Sequence, residues 1–572
     1  MHIQFPRLQN SLLKYLGVGG IVLVVAILGT YLLIGSHAAS PYASVTANNG
    51  TTSGATQQTC AGASTGSCIV FGGTISLSQG TSRSLSPDFL GFNGDASSAA
   101  WNNPALLPAI TALSPGTIRG IVGGTPSNYF NWQTGQYFIT ATDPNLTYIK
   151  PSAPNPPYTL ANYVNALQAG GANALFNLNV MTYCPVSNTD PASTAQAGVS
   201  CTMAQACGPT PSAYTTSCTN TDYTWGLNYQ IALLQAAQSM GVPIKYIELG
   251  NELYISNNSD YTYYFPTVQS YINKVNAWIP VLKQDFPGAQ IAVVGTPPSA
   301  GISAWNQAIY ADVHGEDAIT THTYYGSTIP SGGSVDNPQQ LSSMLSTATE
   351  DMASSLETND LDPLPSGISD WVTEWNLASE NLQVTHGSWA QGLTEANYAV
   401  DLIRQPQIEL AVNHDLVSTQ VYGSLFENTT AYSATAEAGK AIGTPIPIPP
   451  TQAFGMSEGG FTLSALERSL HGATSTTSLN FSSNPNIADS SVPGLIGQSF
   501  TVNGKTNFYF VNLSADNENL NLGDLSGNYT ALQYTSSPIN FVTGNGSIPT
   551  DTFTATNSLN VPAYSVTSLV SN

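Results

Sequence analysis

The chain has 572 residues, of which 42% are hydrophobic and only 8% charged, enough apolar material for more than one packed core. Lys and Arg number 12 against 34 Asp and Glu, a net charge of -22, and a surface so poor in cations repels phosphate backbones, which excludes nucleic acid as a partner. The abundance of Ser, Thr, Asn, Gly and Tyr indicates a neutral, hydroxyl-rich exterior of the kind exported proteins carry.

At the N-terminus, Arg7 and Lys14 precede the uncharged run "LGVGGIVLVVAILGTYLLIG" (16–35), and Ser36 and Ala38 follow it. Residues 1–40 read either as a cleaved signal peptide or as a membrane anchor, since a signal core needs about 7–15 apolar residues and a span about 20. Basic residues before the run and none just after it place the bulk of the chain outside the cytoplasm. An extracellular or cell-surface location is expected, with membrane contact only through this segment.

Residues 41–67 are small, polar and aperiodic, as a linker is. The run "CIVFGGTISLS" opens a strand-like stretch, 68–84, that could join a C-terminal sandwich. From 85 to 435, short β-branched runs alternate with helical patterns such as "YQIALLQAAQSMG" (229–241) and "TVQSYINKVNAWIPVLKQDF" (267–286). The runs lie at 89–95, 117–124, 174–180, 245–252, 290–295, 318–324, 370–376 and 416–423. Eight strands alternating with helices predict a (β/α)8 barrel. An open doubly wound sheet is the alternative, but no Gly-x-Gly-x-x-Gly loop follows the first strand. From 436 to 572, after "GTPIPIPP", short alternating runs such as "TNFYFVNLS" predict an antiparallel β-sandwich.

The six cysteines, Cys60, Cys68, Cys184, Cys201, Cys207 and Cys218, are an even count in an exported chain and are expected to form disulfides. Cys60 and Cys68 are close enough in sequence to pair; the other four leave their connectivity open. A zinc site among those four is the rival reading, but they lack a His and a paired C-x2-C spacing.

In "IKYIELGNELY" (244–254), Glu248 and Glu252 interrupt an otherwise apolar strand. Glu374 in "WVTEWNL" does the same near the end of the seventh. A carboxylate among apolar residues is costly without a partner or a task, and barrel enzymes carry their chemistry at the C-terminal strand ends. Glu252 and Glu374 facing each other across the mouth would be the two carboxylates that glycoside hydrolysis requires. Asn251 could hold a sugar hydroxyl, and His322 and Tyr324 share a face of the sixth strand. Glu248 lies one layer deeper, with Arg119 as its expected structural partner.

"ELGNE", "THTYYG" and "VTEWN", in that order, resemble the clan-A retaining glycoside hydrolases, whose acid/base and nucleophile end strands four and seven. With "LSPGTIRGIVGGT" (113–125) and "ALFNLNV" (174–180), the chain from about 85 to 430 is similar to glycoside hydrolase family 79, the heparanase and β-glucuronidase family. The resemblance implies Glu252 as acid/base and Glu374 as nucleophile. It implies Asn251 at the 2-hydroxyl, Tyr324 bonded to the nucleophile, His322 orienting the site, and Arg119 beneath Glu374. It implies a carbohydrate substrate and neither metal nor organic cofactor. Where that family receives a uronate carboxylate with a Tyr and glycines, this chain has Ser379, Glu380 and Asn381. "HTYYG" with "TEWN" also resembles family 51 arabinofuranosidases, so a neutral-sugar glycosidase is the alternative. A non-catalytic glycan-binding envelope protein on the same fold is the competing class.

Overall fold

The computed structural model describes residues 55–59, 67–71, 74–94, 99–137, 158–181, 223–256, 259–297, 302–326, 337–377, 388–418, 423–427, 445–447, 453–543 and 548–572. Contacts divide the chain into Met1–Gly73 and Thr74–Asn572. In the first unit, strands Ala55–Thr59 and Ser67–Phe71 pair antiparallel. No disulfide occurs among the described residues: Cys60, Cys184, Cys201, Cys207 and Cys218 lie outside them, and of Cys68 only the backbone is described. Among the described residues no helix is long and apolar enough to cross a membrane, and the apolar run 16–35 lies outside them.

In the second unit, eight parallel strands close into a barrel in sequence order. They are β1 (Leu90–Asn93), β2 (Thr117–Gly120), β3 (Asn173–Leu178), β4 (Tyr246–Leu249), β5 (Gln290–Val294), β6 (Ala318–Tyr325), β7 (Ser369–Leu377) and β8 (Ile408–Asn413). The helices that follow them are α1 (Leu106–Leu113), α2 (Leu160–Gly170), α3 (Leu227–Ser239), α4 (Val268–Asp285), α5 (Ala304–Asp312), α6 (Pro338–Asp351), α7 (Trp389–Arg404) and α8 (Glu458–Leu470). Local chemistry starts them cleanly: Thr159 with Asn162 and Thr267 with Ser270 form reciprocal caps on α2 and α4.

Strand alternation sorts the side chains into an outer coat against the helices and an inner stack. The bottom of that stack is apolar: Leu175, Tyr246, Ala292, Ala318, Trp371, Leu410 and Val412 fill it. A polar layer of Arg119, Glu248 and Thr373 lies above, so the barrel is a packed plug with a wet rim.

The sequence places the eighth strand at 416–423, but the barrel closes with Ile408–Asn413. Glu409 breaks the apolar run there and hides it. The structure accommodates this carboxylate at the barrel's lower end, where it accepts from Gln290 Nε2, Ser369 Oγ and Trp371 Nε1. Val417–Ser418 instead pairs with Leu425–Glu427 in a small separate sheet.

Ile75–Ser84 pairs antiparallel with Ser475–Phe481 in a nine-stranded, mostly antiparallel sheet otherwise built from 475–571. The sheet encloses its own core of Leu479, Phe508, Phe510, Leu520, Leu559 and Leu569, among others. Helix α8 lies beyond the expected boundary at 435. It meets α1 and α7 as well as sheet strands Lys505–Asn512 and Ser565–Ser571.

Candidate active site

At the end of β4 the chain turns through Gly250, at φ +96, and Glu252, at φ +49. A Cβ at Gly250 would lie 2.8 Å from Leu253 Cδ1 and 3.0 Å from Val180 Cγ2, so only glycine fits. Left-handed backbone at a glutamate costs free energy, and such strain clusters where a side chain must be aimed. The turn aims Glu252 into the mouth.

β7 reaches the same place by a different device. Thr321 pairs with Val372 and His322 with Glu374, so β7 carries one extra residue, Thr373, in a bulge. Regular alternation would turn Thr373 and Glu374 to opposite faces. The bulge lets both point inward, since Thr373 Oγ1 reaches Glu248 while Glu374 reaches Arg119.

Arg119, fully buried on β2, organises the floor. Its Nε and Nη2 bond the two Glu248 oxygens at 2.6 and 2.9 Å. Nη2 also bonds Asn251 Oδ1 at 2.6 Å, and Nη1 bonds Asn93 Oδ1 at 3.2 Å and Glu374 Oε1 at 2.8 Å. All five guanidinium N–H groups are therefore used. Because the guanidinium takes both amide oxygens, the Nδ2 groups of Asn93 and Asn251 face away from it, buried and without a partner.

The second Glu374 oxygen accepts from Tyr324 hydroxyl at 2.6 Å, and His322 Nδ1 lies 3.6 Å from it. Burial pushes the Glu374 carboxyl up, but His322, His414, Arg119 and the Tyr324 hydroxyl outweigh it and hold it well below the usual carboxylate range. Burial of the Tyr324 hydroxyl and the adjacent Glu374 carboxylate push that phenol up, which keeps it a donor, although the residue as a whole is 42% exposed. Glu252 is the more open carboxylate, its side chain 21% exposed against 7% for Glu374. Its Oε1 accepts from Tyr254 hydroxyl at 3.1 Å and meets His322 Nδ1 at 2.9 Å. Burial pulls the His322 imidazole down, but Glu374 and Glu252 raise it above its ordinary value.

The expected residues Arg119, Asn251, Glu252, His322, Tyr324 and Glu374 thus form one contiguous cluster, and Glu248 pairs with Arg119 beneath it. Oxygens of Glu252 and Glu374 and a nitrogen of His322 lie within 4.8 Å of one another. A divalent cation there would face the Arg119 guanidinium across Glu374, so the charges favour acid–base chemistry over ligation. Ser379, Glu380 and Asn381 lie outside the described residues.

Four residues at the site escaped the sequence reading: Asn93, Thr373, Tyr254 and His414. Asn93 was accessible by alternation from Gly91 on β1. His414 directly follows the misplaced β8 and packs edge-on to Tyr324, ring centroids 6.1 Å apart.

No family model and no curated protein matches the sequence. Solved structures do match the fold. A family 51 α-L-arabinofuranosidase from Bifidobacterium longum superposes with a TM-score of 0.57 at 13% identity, covering 86% of this chain and 99% of that one. The family 51 arabinofuranosidase from Xanthomonas axonopodis pv. citri gives 0.55 at 15% identity, over 87% and 99%. A 4-O-α-L-rhamnosyl-β-D-glucuronidase from Fusarium oxysporum gives 0.50 at 13% identity, over 86% and 100%. At these identities the likeness establishes a shared fold, a closed parallel barrel with a C-terminal antiparallel sheet.

Proposed function

We propose that the protein is a retaining glycoside hydrolase. The observation that carries this reading is the approach of Glu252 and Glu374 oxygens to within 4.8 Å at the ends of β4 and β7. Retaining enzymes hold their carboxyl groups about 5–5.5 Å apart, whereas inverting enzymes leave about 6.5–9.5 Å for a water.

The roles follow from the surroundings. Glu374, held ionised by its cationic neighbours, is the nucleophile; Glu252 is the acid/base. In the first step a Glu374 oxygen bonds the anomeric carbon as the bond to the leaving oxygen breaks, and Glu252 gives that oxygen a proton. In the second, Glu252 takes a proton from water, whose oxygen bonds the anomeric carbon and frees Glu374. Glu252 Oε1 already receives Tyr254 and faces His322, which leaves Oε2 for the leaving group. The unpartnered Nδ2 groups of Asn93 and Asn251 are donors awaiting sugar hydroxyl oxygens.

Sequence resemblance makes a β-glucuronide the first substrate to test. One observation favours a neutral sugar as a second reading: Arg119 has no N–H left for a substrate carboxylate. The N-terminal segment and the even count of cysteines in the sequence support work outside the cell. The test is a panel of aryl glucuronide, arabinofuranoside, xyloside and glucoside substrates, read with the wild type and Glu374→Ala. Turnover of one glycoside that the variant loses, and that azide partly restores with inverted product, supports the reading. No turnover of any glycoside, or an unaffected variant, overturns it.

A further inference from the structure

Beneath the two carboxylates runs a second chain of hydrogen bonds. Thr373 Oγ1 lies 3.1 Å from Glu248 Oε1 and 3.2 Å from His322 Nε2. The threonine hydroxyl has one proton to give. Glu248 already accepts two N–H groups from Arg119, so it meets the hydroxyl as a further acceptor. A hydrogen bond to a carboxylate is the stronger of the two on offer. The hydroxyl proton therefore goes to Glu248, and the oxygen's lone pair is left for His322. To bond it, Nε2 must carry a proton.

That assignment constrains the other ring nitrogen. With Nε2 protonated, neutral His322 has a bare Nδ1, and Nδ1 lies 2.9 Å from Glu252 Oε1. The contact is a hydrogen bond only if one further proton lies between them. The proton sits on Nδ1, giving an imidazolium against a carboxylate, or on Glu252. The opposite tautomer would satisfy Glu252 without any such proton. Every charged or titratable group facing the imidazole bears on this balance. Glu252 and Tyr254 follow β4, Glu374 is on β7, Arg119 is on β2, and Glu248 acts through the threonine.

We propose that Thr373 is a positioning residue: by accepting from Nε2 it fixes the tautomer of His322 and makes Glu252 and His322 a pair that shares one proton. The proposal builds on the acid/base role given to Glu252 above. It also accounts for the bulge in β7, which is what brings Thr373 and Glu374 to the same side of the strand.

Two measurements test it, the first independent of any activity. With 15N-histidine label, the chain's seven histidines can be resolved and His322 assigned from the spectrum of His322→Asn. The wild type should show His322 with a protonated Nε2 at every pH at which it is folded. Thr373→Val should lose that preference and Thr373→Ser keep it. A neutral Nδ1–H tautomer in the wild type overturns the proposal, even if the protein proves to be a glycosidase and even if the valine variant fails to fold. The second measurement is the pH dependence of kcat/KM on the substrate found by the panel. Loss of the acceptor weakens the pair's hold on its last proton, so Thr373→Val should move the alkaline limb down by about one pH unit, with serine restoring it. An unmoved limb with merely lower activity overturns it.

Discussion

Arg119 and Glu374 are joined at 2.8 Å beneath the mouth of the barrel, both on the inner face, the guanidinium fully buried and the carboxylate nearly so. A buried cation with all its donors used is stabilising only as a set. Arg119→Met should leave Glu248 and Glu374 uncompensated and cost about 3–5 kcal/mol, the range seen when one partner of a buried pair is removed. Arg119→Lys should recover little, because a point charge cannot replace five N–H bonds aimed at four side chains. Urea unfolding at neutral pH measures both.

Tyr324→Phe removes the 2.6 Å bond to Glu374 Oε2. That bond helps to hold the carboxylate ionised, so its loss raises the pH at which the nucleophile becomes protonated. The acid limb of kcat/KM should move up by about one to two pH units, the equivalent of one hydrogen bond to a charged group. Rates measured across the acid range check this, and an unmoved limb would separate Tyr324 from the nucleophile.

Gly123→Ala tests how the floor is packed. A Cβ there would fall 1.6 Å from Asn93 Oδ1, so the amide must leave its place on Arg119. Turnover should drop on the order of tenfold or more, as expected when a group at the reacting centre is displaced by about 1 Å. Gly288→Ala, where a Cβ meets nothing within 4 Å and the backbone, as at Gly123, is not left-handed, controls for the general effect of replacing a glycine.

Stability should peak in mild acid. Burial raises the carboxyls of Asp351 to about 6, Asp360 and Glu467 to about 7, and Glu395 to about 8. Their unfolded values are about 3.9–4.3. Each raised group contributes stability that is fully present below its unfolded value and is lost as pH rises through the folded one. Glu374, depressed to about 2, has the opposite sign: its contribution is present above the unfolded value and is lost as pH falls toward 2. The thermal midpoint should therefore be highest at about pH 4–5 and fall toward pH 8. Glu395→Gln, which keeps an acceptor for Gln391 Nε2, should raise the midpoint at pH 8 and leave it unchanged at pH 4.

The legible parts of the molecule were those written as periodic runs or as side chains that need partners. β2, β4 and β7 could be read from apolar runs, and Arg119 and Glu248 were expected together because neither can be buried alone. The eighth strand was not legible, because Glu409 disguises it and its three partners lie on β5 and β7, far away in sequence. Thr373 was invisible for another reason. A bulge reverses the alternation on which face assignments rest, and nothing in "WVTEWNL" marks where it falls. The turn at Gly250 and Glu252 was read as a strand end, and its left-handed backbone appears only in three dimensions.

The pairing of Ile75–Ser84 with Ser475–Phe481 has a consequence for biosynthesis. The ribosome completes the first of these strands long before the second exists. At about 5–20 residues per second, the earlier strand waits roughly 20–80 s for its neighbour. A waiting strand exposes a full row of unpaired backbone groups to other nascent chains. Its composition suits the delay: "ISLSQGTSRS" puts serine, threonine, glutamine and arginine on most positions and buries only Ile75 deeply even in the finished sheet. The first strand of this sheet to be synthesised is thus suited by its composition to wait for its neighbours.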